Sequence, residues 1–73
     1  MRYAVQQMNT REYTTRELAA LAVDNGRAVT PRYIAKLCQN GRLPARKVGS
    51  GVRAVWLIAE NDALRWLEAW LAE

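Results

Sequence analysis

Histidine and phenylalanine are absent from the 73 residues, and cysteine occurs once, at Cys38. Without histidine the commonest general base is missing, along with every nucleophile that depends on an imidazole. One cysteine without histidine builds no zinc site and closes no disulfide within the chain. Cys38 therefore reads as a small buried hydrophobe. With no Phe, aromatic burial falls to three tryptophans and three tyrosines, and Trp56 is expected in the core. No run approaches the ~20 apolar residues that span a bilayer. The first residues also lack the apolar stretch of a secretory signal. A cytoplasmic protein, of a bacterial cell or a phage-infected host, is the expectation, with no catalytic residue, cofactor or metal.

Acids are missing from one long segment. Between Arg27 and Arg53 stand Arg27, Arg32, Lys36, Arg42, Arg46, Lys47 and Arg53, with no Asp or Glu. Before it, Arg2, Arg11 and Arg16 balance Glu12, Glu17 and Asp24. After it, Glu60, Asp62, Glu68 and Glu73 outweigh Arg65. The net charge of +4 is thus concentrated in the middle of the chain. Such a segment suits a polyanion, whose released counterions drive sequence-independent affinity. Scattered surface charge reads the same way by count alone, so local structure has to decide.

Half of the composition is hydrophobic (51%), as in a folded domain, and the length allows one. Residues 1–12 read as an arm or a short leading strand, and 13–73 as the domain. Thr14 and Glu17 form a capping box at a helix start, with Tyr13 and Leu18 placed as a hydrophobic staple. Leu18, Leu21 and Ala22 continue at helical spacing to about Val23, and Asp24-Asn25-Gly26 ends the helix. Thr30-Pro31 starts a second helix, Thr as cap and Pro in the first turn, with Val29 and Ile34 repeating the staple. Ile34, Leu37 and Cys38 make its apolar stripe; Arg32, Lys36 and Gln39 make the opposite one. Gly41 and Pro44 close it. Arg46–Gly49 and Val52–Ile58 read as two strands of a basic hairpin around Gly49-Ser50-Gly51. A last helix begins near Asn61 or Asp62 and carries Leu64, Trp66, Leu67, Trp70 and Leu71. The expected fold is mainly α with a small β-hairpin, in the order of a winged helix-turn-helix. Arg, Lys and Gln on the second helix are side chains able to reach base edges or phosphates in a major groove.

The runs Thr14–Ala19, Val29–Ile34, Gly41-Arg42-Leu43-Pro44-Ala45-Arg46-Lys47-Val48-Gly49 and Trp56-Leu57-Ile58 resemble the excisionase-type DNA-binding domain, one of the MerR-like winged helix-turn-helix proteins. The resemblance covers about Tyr13 to Leu71. It implies DNA binding without catalysis, the second helix in the major groove and the wing on backbone or minor groove. By position, Thr30, Arg32, Tyr33, Lys36 and Gln39 would face the groove, Tyr33 either touching phosphate or packing on the first helix. Arg27, Arg42, Arg46, Lys47, Ser50 and Arg53 would serve the backbone or the wing. Two stretches depart from the family pattern: the turn from Val23 to Ala28 and the wing through Ser50-Gly51-Val52 are both longer.

Two functions share that surface. One is an excisionase, or recombination directionality factor, of a phage or mobile element, which binds double-stranded DNA, acts with an integrase or recombinase and self-associates on DNA. The other is a small transcriptional regulator, most simply a repressor. A third is of a different class: a protein-interaction adaptor or inhibitor that uses the last helix, with Trp70 at a protein interface.

Overall fold

The computed structural model describes residues 11–73. Most of the expected arm or strand at 1–12 lies outside them. Glu12 opens a strand, β1 (Glu12–Thr14), that runs directly into helix α1 (Thr15–Asp24). The start of α1 is the expected capping box: Thr14 Oγ1 accepts from the Glu17 amide at 3.1 Å, and the Thr14 amide donates to Glu17 Oε1 at 2.9 Å. Tyr13 and Leu18 on either side of the cap are both buried.

Helix α2 (Pro31–Gln39) is capped by Thr30, whose Oγ1 accepts from the Tyr33 amide at 3.1 Å, with Pro31 in the first turn. Both helices end in the same way. After α1, the Gly26 and Arg27 amides donate to the Val23 and Ala22 carbonyls; after α2, the Gly41 and Arg42 amides donate to the Cys38 and Leu37 carbonyls. This double closure needs a left-handed residue just past the helix, and Gly26 (φ 98°) and Gly41 (φ 77°) supply it. Alanines 19 and 22 are buried on α1, which packs against α2.

The expected hairpin is part of a larger sheet. Strands β2 (Arg46–Val48) and β3 (Val55–Ala59) pair antiparallel, and β1 adds to the other side of β3, giving the order β1-β3-β2. Tyr13 pairs with Ile58, and both are buried, so β1 contributes to the core as well as to the sheet. The second strand also starts later than expected. Gly51–Arg53 form a 3-10 turn, and β3 begins only at Val55. Val52 projects fully into solvent (103% relative exposure), so no packing draws this stretch onto the sheet.

Helix α3 (Glu60–Ala72) begins a residue or two ahead of the expected Asn61 or Asp62. The Glu60 amide donates to the Arg11 carbonyl at 2.9 Å, and Glu60 Oε2 accepts from the Tyr13 hydroxyl at 3.3 Å, fixing the helix start to β1. Leu18, Ile34 and Ile58 form the fully buried centre, joined by Tyr13, Cys38, Leu43, Ala63 and Leu67. Each of the three largest buried side chains contributes about 1.5–3 kcal/mol through burial. Trp56 departs from its expected place: strand alternation turns it to the Ile58 side, but at the margin, where it is only partly buried and the Lys47 ammonium lies 5.7 Å from its ring centroid. The described residues thus form three helices and a three-stranded antiparallel sheet around one core. No helix among them is long and apolar enough to cross a membrane.

Candidate nucleic-acid interface

Helix α2 divides its residues sharply. Ile34 and Cys38 are buried and Leu37 is partly buried, while Arg32, Lys36 and Gln39 are exposed. Burial holds the Cys38 thiol above its ordinary pKa by desolvation, so the group stays a neutral part of the core. Arg32, Ala35, Lys36 and Gln39 line one shallow concavity on the outer side of the helix. The i, i+4 spacing of Arg32 with Lys36, and of Ala35 with Gln39, stacks the four on one face. Ala35 keeps the centre of that face low, so the long side chains around it are free to reach outward.

Among the described residues, Arg32 and Lys36 have no carboxylate within salt-bridge distance, and neither do Arg42, Lys47 and Arg53. Five of the seven bases between Arg27 and Arg53 are therefore uncompensated. The other two are committed within the fold. Arg46 makes a two-pronged contact with Glu12, Nε to Oε2 at 2.8 Å and the second prong to Oε1 at 2.9 Å. That guanidinium holds the Glu12 carboxyl below its ordinary pKa, chiefly through the hydrogen bond. Arg27 lies over the Trp70 ring, 3.9 Å from its centroid, donates to the Trp70 carbonyl and sits 3.7 Å from a Glu73 carboxylate oxygen.

The candidate side chains fall into separate groups. Thr30 is exposed, but its oxygen already accepts the cap bond from the Tyr33 amide. Tyr33 is exposed on α2. Its ring lies 5.8 Å from that of Trp70, and it lines a second concavity with Leu37, Arg42, Trp66 and Trp70. Trp70 is half-covered by Arg27, by Tyr33 and by Trp66, with which it stacks at 5.5 Å and 14°. Lys47, Ser50 and Arg53 are exposed along the hairpin, and the Ser50 side chain caps nothing at the 3-10 turn. Glu12 is the residue that sequence reasoning missed: its partner is 34 positions away, and only the three-stranded register reveals the pair.

No protein-family model, curated protein or solved structure matches this chain.

Proposed function

We propose that this chain is a sequence-specific double-stranded DNA-binding protein of the winged helix-turn-helix type, with α2 entering the major groove and the β2–β3 hairpin acting as the wing. The observation that carries the reading is the outer face of α2: Arg32, Lys36 and Gln39 around Ala35, with no acid on the helix. Arg and Gln can each make paired hydrogen bonds to base edges, and Lys adds a mobile charge. Lys47, Ser50 and Arg53 on the exposed hairpin supply a second arm for phosphates or the adjoining minor groove. In this reading the protein catalyses nothing, and its excisionase-like role would bring in a recombinase as a further partner.

Selection of bound duplexes from a random library tests this directly, followed by titration of the winner at two salt concentrations. An enriched motif is expected, with a steep salt dependence of about −0.9 in logarithmic slope per phosphate neutralised. Replacing Arg32 and Lys36 together by Ala should cost about 1–3 kcal/mol for each groove-reading side chain lost. A double variant that binds the selected duplex like the parent, or a library with no enriched motif, sinks the proposal.

A further inference from the structure

The concavity on the outer side of α2 has one apolar member. Of its lining residues, Arg32, Lys36 and Gln39 are exposed and carry long polar side chains, while Ala35 is half-buried between them. Arg32 stands three residues before Ala35 and Gln39 four after, so each lies about one helical turn away on the same face. Tyr33, the nearest aromatic residue along the helix, faces Trp70 and lines a different concavity. No acid occurs on α2, and Arg32 and Lys36 have no carboxylate within salt-bridge distance among the described residues. The floor of the concavity is therefore a single methyl group, ringed by two cations and an amide.

What such a floor matches in DNA is narrow. On the reading that α2 enters the major groove, the base edges that meet it are hydrogen-bond donors and acceptors, with one exception: the C5-methyl group of thymine. A side chain with no donor or acceptor gains nothing from a purine edge or a cytosine amino group, and pressing against either leaves a polar atom dry and unpaired. Against a thymine methyl it removes apolar surface from water on both sides. Arg32 and Gln39 flank Ala35 at about 4.5 and 6 Å along the helix axis. With base pairs about 3.4 Å apart, these are distances of one to two steps on either side. A base pair under Ala35 thus lies between the pairs that the two longer side chains reach.

We propose that Ala35 is a specificity-determining residue: its methyl group packs on the C5-methyl of one thymine, which lies in the interior of the bound motif between the base pairs contacted by Arg32 and Gln39. The inference rests on the DNA-binding reading and adds to it a base identity. Either strand supplies the thymine, since both pyrimidines and purines of a pair face the major groove. The size of Ala35 matters as well as its polarity. A larger residue at 35 would raise the floor and hold Arg32 and Gln39 off the base edges, whereas glycine would leave the thymine methyl without a partner. Lys36 contributes charge beside the contact and carries no such preference of its own.

The test uses the full chain and the duplex enriched by selection. Each thymine of the motif is replaced singly by deoxyuridine, which removes the C5-methyl and keeps the pairing with adenine. Binding of the parent and of Ala35→Gly is compared on every duplex. One interior thymine should be sensitive for the parent, with affinity falling about fourfold, the factor that burial of one methyl-sized group represents. Ala35→Gly should bind the thymine and deoxyuridine duplexes alike at that position, whatever its affinity for either. As a second variant that keeps a side chain on the helix, Ala35→Ser is taken through its own selection. Its hydroxyl pairs with several base edges, so the thymine preference should relax at that position while the rest of the motif is retained. The proposal is overturned by a motif without an interior thymine, by a parent indifferent to every deoxyuridine, by a sensitivity that Ala35→Gly keeps in full, or by Ala35→Ser selecting the same thymine as strongly as the parent. Each of those outcomes presupposes an enriched motif and leaves the DNA reading standing, whereas a library with no enriched motif removes both.

Discussion

Arg27 and Trp70 hold each other from both sides. The guanidinium lies 3.9 Å from the indole centroid, and the indole Nε1–H donates to the Arg27 carbonyl at 3.1 Å. The loop that leads into α2 is thereby tied to the last turn of α3, and through the Trp70 ring to Tyr33 on α2 itself. The charged residue that opens the basic segment thus helps set the position of the helix proposed to read DNA.

The clasp predicts a measurable coupling. Arg27→Ala should cost about 1–2 kcal/mol, the range for a partly desolvated cation over a tryptophan. Trp70→Ala should cost about 2–3 kcal/mol, below the range for a fully buried tryptophan because the ring is only half-covered. Urea midpoints of the two variants and their combination complete the cycle. The combined loss should fall short of the sum by at least about 0.5 kcal/mol. Strictly additive losses would mean that the two groups contribute independently and that the clasp does not tie the loop to α3.

How much of this was legible before the structure follows sequence distance. Helix starts and stops are local devices: Thr14 with Glu17, Thr30 with Pro31, Gly26 and Gly41 each act within a few residues, and the pattern announces them. The division of α2 into Ile34 and Cys38 inside and Arg32, Lys36 and Gln39 outside follows from helical period alone. What the pattern does not announce is pairing at long range. The addition of β1 to β3 depends on Tyr13 and Ile58, 45 positions apart, sharing one face. The same arrangement brings Glu12 to Arg46, and chain folding of the last helix brings Trp70 to Arg27. Two bases that the resemblance assigns to the backbone or the wing are therefore partnered within the fold. The hairpin was overextended for a local reason: Val52 is β-branched and suits a strand, but inside the 3-10 turn that Gly51 opens at φ 62° it projects into solvent with nothing to pack against.

The Glu12–Arg46 pair predicts a pH dependence whose sign is fixed. The folded state holds Glu12 below its ordinary value of 4.5. A carboxylate depressed on folding stabilises the fold above its unfolded pKa and loses that contribution as pH falls through the folded one. The loss therefore sets in below pH 4.5 and is absent at neutral pH. Glu12→Gln removes the titrating group, so its stability should fall less steeply than the parent's between neutral and acid pH. Urea midpoints at pH 7 and near pH 3, measured for both proteins, give the comparison. Parallel acid limbs would show that the exposed pair contributes nothing through this linkage. Under the proposed DNA reading, Arg46→Ala should weaken binding less than Arg32→Ala, because the Arg46 guanidinium is already held by a carboxylate in the free protein.

The hairpin tip separates local from global stability. Gly49 has a φ of 89°, and a side chain there would bring its Cβ to 3.1 Å from the Arg53 carbonyl oxygen, a backbone atom that cannot step aside. Gly49→Ala should therefore strain the turn by about 1–3 kcal/mol. Yet β2 and the 3-10 turn bury no residue in the core, so the hairpin can relax without opening the packing around Leu18, Ile34 and Ile58. The expected signature is confined to the tip. The Arg53 and Ala54 amides, which donate to the Ser50 and Gly51 carbonyls, should exchange with solvent about tenfold faster or more. Core amides of α1 and α2 should keep the parent's rates. Uniform acceleration across all amides would show instead that the hairpin and the core open as one unit, and a tip unchanged by the methyl group would show that the positive φ at Gly49 is not required.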